Sequence, residues 1–293
     1  MSDITIYEFD WIQPELTCAE RRHGVHYVPS SVFSWLKLQC LKTAESGDTA
    51  WLRLSQKFGK ESVQVTSYVG VIRAPGGSQI EVLPKIGRVT DTNSTDTAKK
   101  RLIEMLSCLG GFRHIKTDSA KLKAAKMPLL EIFISEFLES VNHVVKRGLR
   151  STYTHKEENL FALRGKLMMA QHLRQNMFRK DRFYTHHDEF SNNRPENRLL
   201  HSALVDVMLI SSSQTNQQLA RELQFVFADV PTSTHYGQDF NQVLLDRGMG
   251  HYSDAISWAR LILVGQSPLT GSGTNLSTSL LFPMEAVFEA FVG

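Results

Sequence analysis

The hydrophobic pattern of the chain divides it into a β-rich first part and a mostly helical remainder. Along residues 63–87, valines alternate with mostly polar residues, which predicts a strand with one buried face. The sequence Ala74-Pro75-Gly76-Gly77 then places a fixed φ beside glycines that accept positive φ, so the chain should fold back here in a type II turn. With further strands at 4–9 and 51–54, this pattern predicts a small β-barrel or rolled sheet over residues 1–96.

After residue 97 the spacing of apolar residues becomes helical. The clearest helix carries one apolar stripe from Leu130 to Val145, opens at Pro128 and closes at Gly148. A β-hairpin is predicted near 150–168, with its turn at 157–159. More helices follow, among them one that opens at Pro195.

The pattern therefore predicts an α+β fold in three consecutive units. The first is the β-rich unit at 1–96, seated on a helical stalk. The second is a mainly helical stalk or adaptor at 97–265, which includes the hairpin. The third, at 266–293, is a Ser/Thr/Gly-rich linker followed by one amphipathic helix.

Composition limits the class of protein. The 293 residues are 42% apolar and 22% charged, with a formal net charge of +3, as in an ordinary globular protein. The three cysteines are widely spaced, which argues against a disulfide framework. No secretory signal and no apolar run of roughly 20 residues is present. We predict a soluble, cytoplasmic protein with no membrane contact.

Several catalytic motifs are absent from the sequence. The Gly-Lys pairs at 59–60 and 165–166 are followed by Glu61 and Leu167, so neither forms a phosphate-binding loop. No lysine has an acidic residue two positions before it, as a metal-dependent nuclease of the restriction type requires. HExxH and GxSxG are also missing. We therefore predict no catalytic residues, no metal and no cofactor in this chain.

The run His186-His187-Asp188-Glu189 is the one candidate for a metal site. Adjacent side chains diverge in a strand or helix, so the run cannot supply three convergent ligands, and we interpret it as a solvated turn.

The basic stretch 146–182 is a candidate nucleic-acid surface, because it interleaves cations with aromatic residues. The alternative, which we favour from the sequence, is a charged outer face over a buried aromatic stripe. The cations chosen as nucleic-acid contacts are Arg164, Lys166, Arg174 and Lys180.

Five pieces of sequence occur in an order that resembles one known family, McrC, the non-AAA+ subunit of the McrBC 5-methylcytosine-specific restriction system. Individually they are weak, and it is the ordered set that carries the resemblance. They are YVGVIRAPGGSQIEVLPKIG at 68–87; the helix that ends at Gly148, followed by Tyr153 and LRGKL at 163–167; Asp188-Glu189-Phe190 with Asn197-Arg198-Leu199-Leu200; HYSDAISWARLIL at 251–263; and LLFPMEAVFEAFV at 280–292.

The resemblance implies a regulatory and adaptor role. In that family the N-terminal part resembles a finger that enters the pore of a hexameric AAA+ GTPase, McrB, and stimulates its GTP hydrolysis. The resemblance implies that the partner binds GTP and Mg²⁺, and that DNA is bound in the full complex. The C-terminal part of the family is a Mg²⁺-dependent PD-(D/E)xK nuclease. The resemblance implies that the present sequence lacks most of this domain, which would leave Glu285 and Glu289 as remnants of a nuclease site. The alternative, which we favour from the sequence, is that both are exposed charges on a truncated helix that do not act in this chain.

The resemblance also suggests where a partner would bind. The unit at 1–96 would be the finger tip, with its end at the loops after 41–50 or 74–78. Its rim could offer basic side chains to acidic or carbonyl groups of the ring. These are Arg53, Arg73, Lys85 and Arg88. The alternative for Lys85 is an exposed lysine at the end of a plain hairpin.

Three hypotheses follow: an activator of an AAA+ ring, a DNA-binding module that uses the basic 146–182 face, and, ranked last, a nuclease active in this chain alone.

Overall fold

The structure, a computed structural model, describes residues 3–15, 24–46, 50–85, 94–109, 127–264 and 280–293. Strands and helices alternate through this part of the chain. The strands are β1 (Asp3–Tyr7), β2 (Trp11–Pro14), β3 (Val25–Val28), β4 (Leu52–Lys57), β5 (Lys60–Val65), β6 (Tyr68–Arg73), β7 (Gln79–Leu83), β8 (Thr152–Leu160), β9 (Lys166–Leu167), β10 (Phe183–Ser191) and β11 (Leu280–Pro283). The helices are α1 (Ser30–Ser46), α2 (Ser94–Ser107), α3 (Leu129–Arg147), α4 (Met169–Asn176), α5 (Pro195–Ile210), α6 (Gln214–Val226), α7 (Tyr236–Gln242), α8 (Ser253–Val264) and α9 (Met284–Val292).

The first sheet has the strand order β1-β7-β6-β11. Its hairpin, β6 to β7, turns at Pro75–Gly77, where Gly76 has φ 82° and ψ 9°, as the third position of a type II turn requires. The predicted hairpin is therefore confirmed. The single strand predicted across residues 63–71 is not, because Val63 and Val65 belong to β5 of a different sheet.

A second sheet, β3-β2-β5-β4, shares one apolar core with the first. Ile12 and Val63 contribute from the second sheet, Ile80 from the first, and Leu36 from α1, all of them 0% exposed. Two sheets closed over one core match the rolled β-unit that the sequence predicts.

The helical body has a larger core built around α3, α5 and α8. Its largest rings meet where Phe133 lies 5.7 Å from Trp258 and 5.8 Å from Phe282 of β11, measured between centroids. The predicted limits of α3 are confirmed, with Pro128 as N-cap and Gly148 closing the helix at φ 90°. The α+β class is likewise confirmed.

The last strand also belongs to the first sheet. Strand β11 pairs antiparallel with β6, and the Met284 amide donates to the Ser67 carbonyl at 2.9 Å. The first and last predicted units therefore share hydrogen bonds, while most of the predicted linker lies outside the described residues. The three-unit division stays a prediction.

The predicted turn at 157–159 is wrong. Strand β8 runs through these residues without a break, and its partner is β10, not the segment before residue 168. Within the described ranges, no helix has the length and apolar character needed to cross a membrane.

Candidate partner-binding arm

Residues 152–191 form a small unit of their own, which we call the arm. Strands β8 and β10 pair over nine residues, β9 lies on the other side of β10, and α4 packs on β10. None of these residues belongs to either apolar core of the described chain. Nine paired residues at about 3.3 Å each give the arm a length of about 30 Å.

A fully buried polar pair fixes the base of the arm. The Asn197 amide donates to the carbonyls of Arg150 at 2.9 Å and Asn192 at 2.8 Å. The Tyr252 hydroxyl donates to Asn197 Oδ1 and accepts from the Arg150 amide, both at 2.9 Å. Ser151 and Asn192, which flank the arm, are themselves hydrogen-bonded. Burial raises the pKa of Tyr252, so this hydroxyl remains a donor. Both ends of the arm are thus held by one joint.

The paired part of β8 and β10, which we call the shank, carries mainly acidic charge. Its residues include one lysine and four carboxylates, the latter being Glu157, Glu158, Asp188 and Glu189. On one face, the rings of Tyr153 and Phe190 pair across the strands at 5.1 Å.

Two surface side-chain pairs also link the strands of the shank, a hydrogen bond between His155 and Asp188 and an ion pair between Lys156 and Glu189. The hydrogen bond from Lys156 lowers the pKa of Glu189, and the same bond raises the pKa of Lys156.

The run 186–189 lies in β10, so the interpretation as a solvated turn is wrong. The strand sends neighbouring side chains to opposite faces: His187 is 6% exposed, whereas Asp188 is an exposed residue. No group of three or more His, Cys, Asp or Glu side chains in the described ranges could hold a metal ion.

The far end of the arm, residues 161–182, is both basic and apolar, and we call it the tip. It contains six cations and one carboxylate, Asp181. It also exposes six large apolar side chains: Phe161 70%, Leu163 59%, Met169 57%, Leu173 59%, Met177 65% and Phe178 93%. The predicted buried aromatic stripe is wrong for Phe178.

A glycine allows the tip to close onto the shank. Gly165, within LRGKL, has φ 71°, and a Cβ there would clash with the carbonyl of His186. Only glycine fits this close approach of two backbones. The close contact explains why β9 can pair with β10.

The predicted nucleic-acid contacts meet in the tip. Arg164, Lys166, Arg174 and Lys180 are all exposed there.

The predicted partner contacts, in contrast, lie apart from the arm. Arg53 and Lys85 are exposed on the N-terminal unit, and Arg88 lies outside the described residues. Arg73 is half-buried; burial lowers its pKa, which the charge of Asp206 partly offsets. The proposed end loop at Pro75–Gly77 packs against α1. Glu285 and Glu289 are exposed on α9.

The fold matches chains in two structures of protein assemblies from one organism. A chain of the "Thermococcus gammatolerans McrBC complex" aligns with a TM-score of 0.68 and 18% identity, over 99% of this chain and 86% of that one. A chain of a half-complex of "Thermococcus gammatolerans McrB AAA+ hexamers with bound McrC" aligns with a TM-score of 0.71 and 18% identity, over 99% and 69%. These likenesses define the fold.

The sequence gives the family. Residues 63–293 match the family described as McrBC 5-methylcytosine restriction system component. The chain belongs to this family. No curated protein matches it.

Proposed function

We propose that this chain is an McrC-like subunit, which binds a hexameric McrB-type AAA+ GTPase and stimulates its GTP hydrolysis. In a full-length protein this stimulation would be coupled to cleavage of modified DNA. The family match and the likeness to chains from McrB–McrC assemblies support the proposal. GTP and Mg²⁺ would be bound by the ring.

The arm is the observation that carries this proposal, and we place the pore-entering finger there instead of at residues 1–96. A two-stranded ribbon about 30 Å long can reach into a channel. Its tip exposes apolar side chains that belong to no core of the described chain. Such a patch on a soluble protein marks an interaction surface.

The tip suits an asymmetric fit inside a symmetric ring. One finger meets six subunits in different positions, so its contacts must tolerate different partners. Methionine and leucine side chains adapt in this way, and Met169, Leu173 and Met177 occupy one face of the tip region. Cations such as Arg174 and Arg179 would add attraction to carboxylates or carbonyls of the channel.

The joint at the base permits a direct experiment. Because the side chains of Ser151 and Asn192 are in contact, a short Gly-Ser linker can replace residues 152–191 without stretching the body. The shortened protein should keep the helices of the body and its melting cooperativity, losing only the helical signal of α4, but it should lose all stimulation of the ring's GTPase. Full stimulation by the shortened protein would refute the placement of the finger in the arm.

The second candidate function is duplex DNA binding by the same tip. The clustering of Arg164, Lys166, Arg174 and Lys180 on an exposed surface favours it. Replacing all four by alanine should then abolish duplex binding in the absence of the ring. The affinity of the parent chain should fall steeply with added salt, with a log–log slope of about −0.9 for each phosphate contacted. If the parent chain does not shift the electrophoretic mobility of duplex DNA at low salt, this candidate function is refuted.

A further inference from the structure

Two phenylalanines occupy backbone positions that bulky residues rarely adopt. Phe58 lies at φ 54° in the two-residue loop between β4 and β5, followed by Gly59 at φ 74°. A loop of this kind, with two positive φ values, normally takes Asn-Gly. Phe9, in the turn between β1 and β2, lies at φ 63°. A bulky side chain with positive φ is a genuine outlier and points to a role other than folding.

Burial does not account for these two rings. Phe58 is 55% exposed and Phe9 is 46% exposed, so much of each ring faces solvent. Asparagine or glycine would fill either turn with less strain. The rings are thus presented to solvent at a cost in stability.

Each ring is accompanied by a lysine. The Lys57 ammonium lies 5.3 Å from the centroid of Phe58 and 5.1 Å from that of Trp11. The Lys85 ammonium lies 5.9 Å from the centroid of Phe9. The amide of Gln64, which pairs with Trp11 across the strands, donates to the Phe9 carbonyl at 3.1 Å. Lys57 thus lies between the rings of Trp11 and Phe58, and Gln64 links Trp11 to Phe9; we call these three aromatic residues the aromatic row.

The sheet face below this row is basic. The register places Arg53 opposite Gln64 and Lys57 opposite Lys60, on the outer face of β4 and β5. The inner face holds Leu52, Val63 and Val65 in the core. Among the residues of β2, β4 and β5, the only carboxylate is Glu61, which lies on the α1 side and pairs with Lys37 at 2.9 Å.

We propose that this outer face, defined by Phe9, Trp11, Arg53, Lys57 and Phe58, binds single-stranded nucleic acid. Exposed rings stack on unpaired bases, and the cations between them neutralise the phosphates. The outward residues of β2, β4 and β5 include cations and no carboxylate, so this part of the sheet complements a polyanion. A duplex, whose bases are already stacked, cannot use the aromatic row. This site lies outside the arm, so it is independent of the ring-binding proposal.

The experiment is a fluorescence anisotropy titration of labelled oligothymidylate with the full chain, in the absence of the AAA+ hexamer. The oligonucleotide is roughly 20 nucleotides long, because one small β-barrel covers roughly 4–16 nucleotides. Phe58→Asn should weaken binding about tenfold, the value of one lost base stack. The same substitution should raise the melting temperature, because asparagine tolerates positive φ. Lys57→Gln should weaken binding and reduce its salt dependence.

Phe225→Asn is the matched control, since Phe225 is 83% exposed on α6 of the helical body. It should leave oligothymidylate binding unchanged.

Three results would overturn the proposal: no binding of oligothymidylate by the parent chain, unchanged affinity in Phe58→Asn, or a loss of duplex binding in Phe58→Asn as large as its loss of single-strand binding. Loss of GTPase stimulation in Phe58→Asn and Lys57→Gln with unchanged oligothymidylate affinity would instead make this face a protein contact.

Discussion

The helical body buries its large apolar side chains, whereas the tip of the arm exposes them to solvent. In the body, Phe133 is 2% exposed, and Phe137 and Trp258 are 0% exposed. In the arm tip, Phe178 is 93% exposed. The body therefore supplies stability, whereas the arm gains little from its apolar side chains in the free protein. Substitutions in the two regions should separate stability from binding.

The carboxylates of the body and the arm also differ in burial. Glu131 of α3 is 2% exposed and accepts hydrogen bonds at the start of α6 from the Ser212 amide at 2.6 Å, Asn216 Nδ2 at 2.7 Å and the Ser211 hydroxyl at 2.8 Å. Burial alone would raise the pKa of Glu131, but these hydrogen bonds outweigh it and lower the pKa. Glu189 of the shank, in contrast, pairs with Lys156 at the partly exposed surface, where such pairs contribute little.

The largest effect is expected for Glu131→Ala. The substitution leaves several buried donors without an acceptor, so it should reduce the free energy of unfolding by about 3–5 kcal/mol. Urea denaturation measures this loss. Glu285→Ala, at an exposed carboxylate of α9, is the control and should change stability by less than about 0.5 kcal/mol. Equal effects of the two substitutions would contradict the contrast.

Acid should act on the same carboxylate. Because the folded pKa of Glu131 lies below its ordinary value of 4.5, its contribution is fully present above that pH. It is lost progressively as the pH falls below 4.5 through the folded pKa. The stability difference between the parent chain and Glu131→Gln should therefore shrink on acidification, which urea denaturation at several pH values would detect.

Tyr252→Phe comes next, because it removes the hydroxyl that joins body and arm. It leaves Asn197 Oδ1 and the Arg150 amide without this partner, at a cost of about 1–3 kcal/mol. Since the same joint orients the arm, GTPase stimulation should also fall. Tyr153→Phe, at an exposed ring of the shank, is the matched control. Unchanged stability in Tyr252→Phe would show that the joint does not fix the base.

Gly165→Ala tests whether the arm is independent of the body. Its backbone has φ 71° and leaves no room for a Cβ beside His186, so β9 should detach from β10. The local cost should exceed about 1 kcal/mol. Hydrogen exchange should quicken in β9 and β10 but stay unchanged in α3 and α5. Gly237→Ala, where a Cβ meets nothing within 4 Å, is the control.

The sequence was most informative where structure is set locally. Helix α3 follows from one apolar stripe between Pro128 and Gly148, and the β6–β7 hairpin follows from the turn at Pro75–Gly77. Both depend on neighbouring residues, so their limits could be predicted.

Pairing at long range could not be predicted in the same way. Glu157, Glu158 and Asn159 are poor strand formers and favour a turn, but β10 holds them in a strand from more than twenty residues away. Tertiary pairing overrides such propensities. The predicted buried stripe fails at Phe178 because its local sequence does not show whether a core lies beneath it. The buried joint of Asn197 with Tyr252 gives no signal in the sequence beyond two of the pieces that carry the family resemblance.

The smallest effect on stability, and the sharpest test of the comparison, is expected for Phe178→Ser combined with Leu173→Ser. These side chains are 93% and 59% exposed, so their removal should change the free energy of unfolding by no more than about 0.5 kcal/mol. Inside the channel of the hexamer the side chains of Phe178 and Leu173 would be buried. Removing them therefore costs binding affinity in proportion to the apolar area that they withdraw from water. Binding of the ring, followed as the concentration that gives half-maximal GTPase stimulation, should therefore weaken at least tenfold while urea denaturation is unchanged. Leu209→Ser, at a leucine that is 80% exposed on α5, removes comparable apolar surface from the body and should change neither quantity. If the two tip substitutions lower stability but leave stimulation intact, the exposed side chains of the arm serve its fold, and the functional contrast with the body fails.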